Sequence, residues 1–264
     1  GDAHNVAQAA AIKSVVDVPV MLVGRLHDPE VAETILAQGK ADLIAMARPL
    51  LADPYLPQKV LRGAPGRIRR CISCEHCIDS MQTHDNLACA GNPYSGREAD
   101  QPRASGVKKI LVVGAGAAGL EAARQAAELG HRVIIMERQK RLGGSLLLAS
   151  TVHSDNQRFL EWLLAEVQRL PIEIRTGCSA TPASVRAENA DAVIVATGAL
   201  VETPTIPGVE QAHVLTGALM RQLVAGAISA QEAHRLPRWQ RRAINAWMRF
   251  GLKPVLQHLG TPDL

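Results

Sequence analysis

Four of the five cysteines stand in one short stretch, residues 70–98. Cys71, Cys74 and Cys77 recur at every third residue, and eleven residues then separate Cys77 from Cys89. Thiols crowded in this way seldom serve packing alone, and the chemistry that suits them is metal ligation. Three thiolates at i, i+3 and i+6 on a looping backbone can converge on adjacent corners of a cubane. A fourth ligand then comes from further along the chain, as in four-cysteine ligation of a 4Fe–4S cluster. Structural zinc more often takes two separated Cys-x-x-Cys pairs, so the spacing leans toward iron–sulfur and leaves zinc open. Arg69, Arg70 and His76 either screen such a site or are simply solvated.

The second chemical motif is KKILVVGAGAAGLEAARQAAELGHRVIIMER, residues 108–138. A β-prone run over 110–113 leads into Gly114, Gly116 and Gly119 in Gly-x-Gly-x-x-Gly spacing. An alanine-rich helix follows to Gly130, and a second strand over 133–136 ends in Glu137, 18 residues past Gly119. The first glycine permits a tight turn, the second lets the backbone approach a pyrophosphate, and the third allows close helix–strand packing. Glu137 lies where a ribose-binding acid belongs. An acid there suits a ribose hydroxyl rather than a 2′-phosphate, and leaves open whether NADH or NADPH is the electron donor. A second glycine-rich fingerprint for that donor is not found in the chain.

The elements that must position these motifs come from a bland globular composition. At 264 residues, 47% hydrophobic and with a net charge of +4, the chain can hold one large or two medium domains. Scattered charge and only 3% aromatic residues argue against nucleic acid as a partner. No run of eighteen apolar residues occurs, and the start lacks a secretory signature, so no membrane partner and a cytoplasmic location are expected. An odd cysteine count with four clustered suits metal ligation in a reducing compartment better than disulfides. Self-association is left open.

Ahead of the cysteines the pattern reads α, β, α, β. Residues 3–16 have helical spacing and 20–23 are strand-like; Asp28 caps a helix that opens with Pro29, and residues 41–47 form another apolar strand. Continuous apolar strands with short connections imply a parallel sheet covered on both faces. Gly24, Arg25, Ala47 and Arg48 follow the two strands. At the carboxyl ends of parallel strands such residues can hold a phosphate, or they can be a turn glycine and solvated arginines. In the second half, residues 156–169 form an amphipathic helix with Phe159, Trp162, Leu163 and Val167 inward, and 172–174 a strand. Cys178 is expected as a small buried hydrophobe and His153 at the surface. Ser229 and Glu232 have capping-box spacing, and 239–250 form a basic amphipathic helix.

PVMLVGR, DPEVAETILAQGKADLIAMARPLLADP and the cysteine segment together resemble the last two β/α units of the old yellow enzyme barrel. The likeness is to the iron–sulfur flavoprotein branch that includes 2,4-dienoyl-CoA reductase, 2-enoate reductase and trimethylamine dehydrogenase. It implies that Gly24, Arg25, Ala47 and Arg48 hold the phosphate of FMN, and that Cys71, Cys74, Cys77 and Cys89 hold a 4Fe–4S cluster. Arg141-Leu-Gly-Gly144 and Asp191-Ala-Val-Ile-Val-Ala-Thr-Gly198 resemble two-dinucleotide-binding flavoproteins. That likeness implies FAD, or ADP alone as in one branch, on Gly114, Ala115, Gly116, Ala118, Gly119, Glu137, Arg138, Gly144, Ala196, Thr197 and Gly198.

The fold class expected is α/β: the C-terminal β/α units of a TIM barrel over 1–66, a cluster segment and linker over 67–107, and a Rossmann-like domain over 108–210. A helical tail of uncertain role follows over 211–264. A full barrel needs ~250 residues, so both domains are expected to be incomplete and the chain to be a fragment. The first six strands, the family's proton donor and the NAD(P)H-binding part would be the missing partners. The function implied is that of an NADH:flavin oxidoreductase-type enzyme. NAD(P)H would feed FAD, and electrons would pass through the cluster to FMN to reduce an activated C=C bond of a small-molecule substrate. No residue is named as an acid–base catalyst, and the isolated chain is expected to be inactive. Alternatives are an amine dehydrogenase of the same family, an electron-transfer subunit without substrate chemistry, and a zinc-stabilised nucleotide-binding module.

Overall fold

A computed structural model describes residues 2–100, 106–200, 202–209, 211, 214, 216–225 and 239. The chain forms two compact units, residues 1–102 and 103–264.

In the first unit, α1 (Val6–Lys13) feeds β1 (Met21–Leu22), and α2 (Pro29–Ala37) feeds β2 (Leu43–Ile44). The strands pair in parallel with Met21 opposite Leu43 and Leu22 opposite Ile44. The expected order holds, with strands shorter than the apolar runs that contain them. Asp28 caps α2 by accepting from the Glu30 N–H, and Pro29 opens the helix, where its missing N–H costs nothing. Ala9, Leu22, Leu26, Ile35 and Ala41 close a small core between these elements. Two short helices absent from the sequence reading follow, α3 (Arg48–Ala52) and α4 (Leu56–Leu61). A third, α5 (His76–Gln82), runs through the cysteine segment.

The second unit is built on a parallel sheet. Its strands are β3 (Lys109–Val113), β4 (Arg132–Glu137), β5 (Ile172–Thr176) and β6 (Ala192–Val195), in the order β5-β4-β3-β6. The helix α6 (Ala117–Glu128) makes the crossover from β3 to β4, with Gly119, Leu120, Ala123 and Ala127 among its buried residues. The helices α7 (Ser145–Val152) and α8 (Ser154–Gln168) connect β4 to β5, and α9 (Pro182–Ala187) connects β5 to β6. Successive strand residues face opposite sides of the sheet. Leu111, Ile134 and Met136 gather on one face with Val113, Cys178, Ala180 and Val185 packed on them. Their neighbours Ile110, Val112, Val133 and Ile135 point the other way and are also buried. Burial on both faces is why these strands read as unbroken apolar runs.

Phe159, Trp162, Leu163 and Val167 are buried on α8, and His153 lies exposed between α7 and α8, as expected. Of the tail, α10 (Gly217–Ala225) is described. Ser229, Glu232 and the helix expected over 239–250 lie outside the described residues, Trp239 excepted. No helix among the described residues is long and apolar enough to cross a membrane.

Candidate functional site

Cys71, Cys74, Cys77 and Cys89 line a single cavity with Arg48, Glu75 and Gly91 among its other walls. All are free thiols. The convergence has local causes. Ser73 at φ 54° and Glu75 at φ 60° both adopt the left-handed region, which costs a side-chain-bearing residue roughly 1–2 kcal/mol each. The two reversals turn the chain between successive cysteines, and the Ser73 N–H points back at Cys71 Sγ, 3.4 Å away. Cys77 then sits in the first turn of α5 rather than on the open loop expected from sequence, with left-handed Glu75 at the N-cap position. Ser80, buried on α5, donates to the Cys77 carbonyl at 3.1 Å and accepts from the Ala88 N–H at 3.3 Å, linking the third and fourth cysteines.

The donor set fits a cluster: four free thiols line one cavity, and a 4Fe–4S group takes one thiolate on each of its irons. Burial pushes the Cys71 thiol up, partly opposed by the Ser73 N–H and by the charge of Arg48.

Arg48 is the residue whose position adds most to the sequence reading. It follows β2 at the start of α3, where a phosphate ligand was expected, yet its side chain lines the cysteine cavity and lies 3.9 Å from Glu75 Oε1. Gly24 and Arg25 follow β1, at the same edge of the strand pair as Ala47 and Arg48. There Arg25 Nε donates to Asp2 Oδ1 at 2.8 Å. Gly24 has φ 143°, a conformation L side chains rarely adopt, and a Cβ there would fall 2.7 Å from the end of the Asn5 side chain. Arg69 and Arg70, read as screening or solvated, are both engaged. Arg70 Nη1 donates to Asp28 Oδ2 at 2.7 Å, and Arg69 takes part in a buried network described below.

In the second unit the expected residues gather at the carboxyl edge of the sheet. Gly114 through Gly116 follow β3, Glu137 ends β4, and Ala196 through Gly198 follow β6. Their packing is close. A Cβ on Gly119 would lie 1.9 Å from the Gly114 carbonyl oxygen, and one on Gly114 would lie 2.4 Å from the Ala196 carbonyl oxygen. Gly143 pairs with Gly116, and a Cβ on Gly144 would sit 2.9 Å from the Gly116 Cα. Gly116 differs from these four: its own Cβ would meet nothing within 4 Å. The open space stands at the N-terminus of the twelve-residue α6, where aligned N–H groups favour an anion.

Glu137 is buried, with Oε2 accepting from the Ala115 N–H and Oε1 from the Gln139 N–H, each at 2.7 Å. A carboxylate has about four lone-pair sites, so two remain for a diol. The backbone of the glycine loop thus orients the acid, a link that the sequence spacing does not reveal. Ala118, Arg138, Thr197 and Gly198 are exposed around this edge. Cys178 is half-buried, packs with Leu111 and Met136, and donates its N–H to the Glu137 carbonyl at 2.9 Å.

Comparison with known proteins matches both halves. Residues 2–66 match the NADH:flavin oxidoreductase / NADH oxidase family, and residues 63–188 and 108–225 match the pyridine nucleotide-disulphide oxidoreductase family. A protein named NADH oxidase from Thermoanaerobacter brockii is 42% identical over 210 residues, covering 77% of this chain and 32% of the relative. A cinnamate reductase from Clostridium sporogenes is 36% identical over 220 residues, covering 81% and 33%. Among solved structures, a 6-hydroxypseudooxynicotine amine oxidase from Pseudomonas geniculata N1 superposes with a TM-score of 0.75 at 31% identity, covering 86% of this chain and 36% of that one. The chain therefore spans about a third of the length of the curated relatives it matches. Its first unit corresponds to part of a TIM-barrel flavoenzyme and its second to a Rossmann-like domain. With both family matches and these relatives, the chain belongs to the iron–sulfur flavoprotein branch of the old yellow enzyme family.

Proposed function

We propose that this chain carries the cluster site, the adenine-dinucleotide site and the flavin-phosphate end of an NAD(P)H-dependent oxidoreductase that reduces activated C=C bonds of the enoyl or dienoyl type. The observation that carries the reading is the pairing of a four-thiol cavity with a glycine-loop cradle in one chain, each built from closely packed residues. When bound, these groups would supply hydride acceptance at FAD, single-electron relay at the 4Fe–4S cluster and delivery to substrate at FMN.

The chain's own residues hold and orient. Cys71, Cys74, Cys77 and Cys89 ligate the cluster. Gly114, Ala115, Gly116, Ala118 and Gly119 receive the pyrophosphate, while Glu137 takes the ribose hydroxyls. Arg138, Gly144, Ala196, Thr197 and Gly198 close around the nucleotide, which is FAD or, as in one branch of the family, ADP alone. Gly24, Arg25, Ala47 and Arg48 hold the FMN phosphate. The domain boundaries proposed with this assignment are 1–66, 67–107, 108–210 and 211–264. The cinnamate reductase among the relatives supports C=C reduction. The amine oxidase among the solved structures supports a second reading, oxidation of an amine.

The polypeptide encoded by the complete reading frame tests the choice. Anaerobic NADH or NADPH oxidation driven by an α,β-unsaturated acid or acyl thioester is expected. Flavin reduction by an amine in the absence of nicotinamide would select the second reading instead.

A further inference from the structure

Residues far apart in sequence meet behind the cysteine cavity in a buried polar network. Asp53, only 3% exposed, accepts from the Arg69 N–H at 2.8 Å through Oδ2, from Lys59 Nζ at 2.6 Å through the same oxygen, and from the Tyr55 N–H at 3.1 Å through Oδ1. Arg69 Nη1 donates to the Gly91 carbonyl at 3.1 Å and to Asn92 Oδ1 at 3.0 Å. Asn92, 5% exposed, closes the circuit by donating from Nδ2 to the Leu51 carbonyl at 2.8 Å. Two of these contacts sit next to a ligand and the third is on a cavity wall. Arg69 is two residues ahead of Cys71, Gly91 two residues behind Cys89, and Leu51 lies on the α3 helix that begins with Arg48.

We infer that Asp53, Arg69 and Asn92 form a clamp that sets the separation of the first and fourth cluster ligands before any iron binds. The inference rests on the reading of the four cysteines as cluster ligands. Its physical basis is that a buried charge held by several hydrogen bonds fixes its neighbours strongly. Without Asn92 to accept from it, the part-buried Arg69 guanidinium loses one of its acceptors, and the segment after Cys89 loses its tether to α3. These are positioning residues: none of them lines the cysteine cavity.

The test uses the whole chain, reconstituted anaerobically with ferrous iron and sulfide, in three variants. Asn92→Leu removes the junction; Arg69→Lys keeps the charge and the N–H to Asp53 but loses the two-acceptor reach; Ile35→Ala truncates the core of the same unit away from the clamp. Iron release to a ferrous chelator is expected to quicken about 10–100-fold in Asn92→Leu and by less in Arg69→Lys, the range typical of groups that orient metal ligands. The reduced cluster's EPR spectrum should change in both, while Ile35→Ala lowers the melting temperature and leaves release and spectrum as in the parent. Release and spectra unchanged in both clamp variants would overturn the inference, as would an Ile35→Ala release rate matching Asn92→Leu. A parent chain that takes up no iron would instead overturn the cluster reading itself.

Discussion

Two alanine substitutions three residues apart in the glycine loop should separate folding from binding. In Gly119→Ala the new methyl would stand 1.9 Å from the Gly114 carbonyl oxygen and 3.3 Å from Ala196 Cβ. The first of these is backbone that cannot swing aside, so α6 must lift away from β3. Overpacking of this kind costs about 1–3 kcal/mol, and each kcal/mol lowers the melting temperature of a chain this size by about 2–4 °C. Gly116→Ala places its methyl in open space at φ −74°, which alanine adopts freely. The entropic gain of about 0.4–1 kcal/mol from losing a glycine is offset by alanine's poorer N-capping, so stability should barely change. The same methyl stands where a pyrophosphate must approach. Losing one charge-assisted hydrogen bond there costs about 1.5–3 kcal/mol, or roughly 10–150-fold in affinity. Calorimetric titration with ADP, beside a thermal melt, reads both quantities. Gly116→Ala binding ADP as tightly as the parent would refute the cradle, however stable the variant proved.

Other perturbations have equally definite directions. Arg48→Gln removes the charge facing Cys71, so the Cys71 thiol should titrate higher still and alkylate several-fold more slowly near neutral pH in the metal-free chain, as read by peptide mass spectrometry. In the second unit, hydrogen bonding from Arg175 and then Lys109 holds the Glu188 carboxyl below its ordinary range. A depressed carboxylate contributes stability that is complete above the unfolded value near ~4.3 and is lost as pH falls through the lower folded one. Glu188→Gln should therefore flatten the melting curve's pH dependence below about pH 4.5. Cys178→Ala should leave iron content unchanged, because that thiol packs on the sheet with Leu111 and Met136.

What was legible in the sequence was local. Periodicity located α2, α6 and α8, and the spacing of Gly114, Gly116, Gly119 and Glu137 described a β-α-β unit that the structure forms, because those signals are set by neighbours in the chain. The short helices α3 and α5 escaped notice. Arg48-Pro49 reads as a strand stop as readily as a helix start, and the turn into α5 depends on left-handed Ser73 and Glu75, residue types that carry no such signal. Arg48 was placed by its strand but not by its side chain, which reaches the cysteine cavity. The Asp53–Arg69–Asn92 network was invisible for a different reason. Its members lie 16 and 23 residues apart, and only tertiary packing makes them neighbours. Asn92-Pro93 reads in isolation as an ordinary turn.

The claim on which everything else depends is that Cys71, Cys74, Cys77 and Cys89 hold an iron–sulfur cluster. Iron, acid-labile sulfide and zinc should be measured together on the anaerobically reconstituted chain, with Cys89→Ala beside it. About four irons and four sulfides per chain, a broad brown absorption band and a marked loss of both in Cys89→Ala are expected. One tightly held zinc, no sulfide and a colourless protein would contradict it.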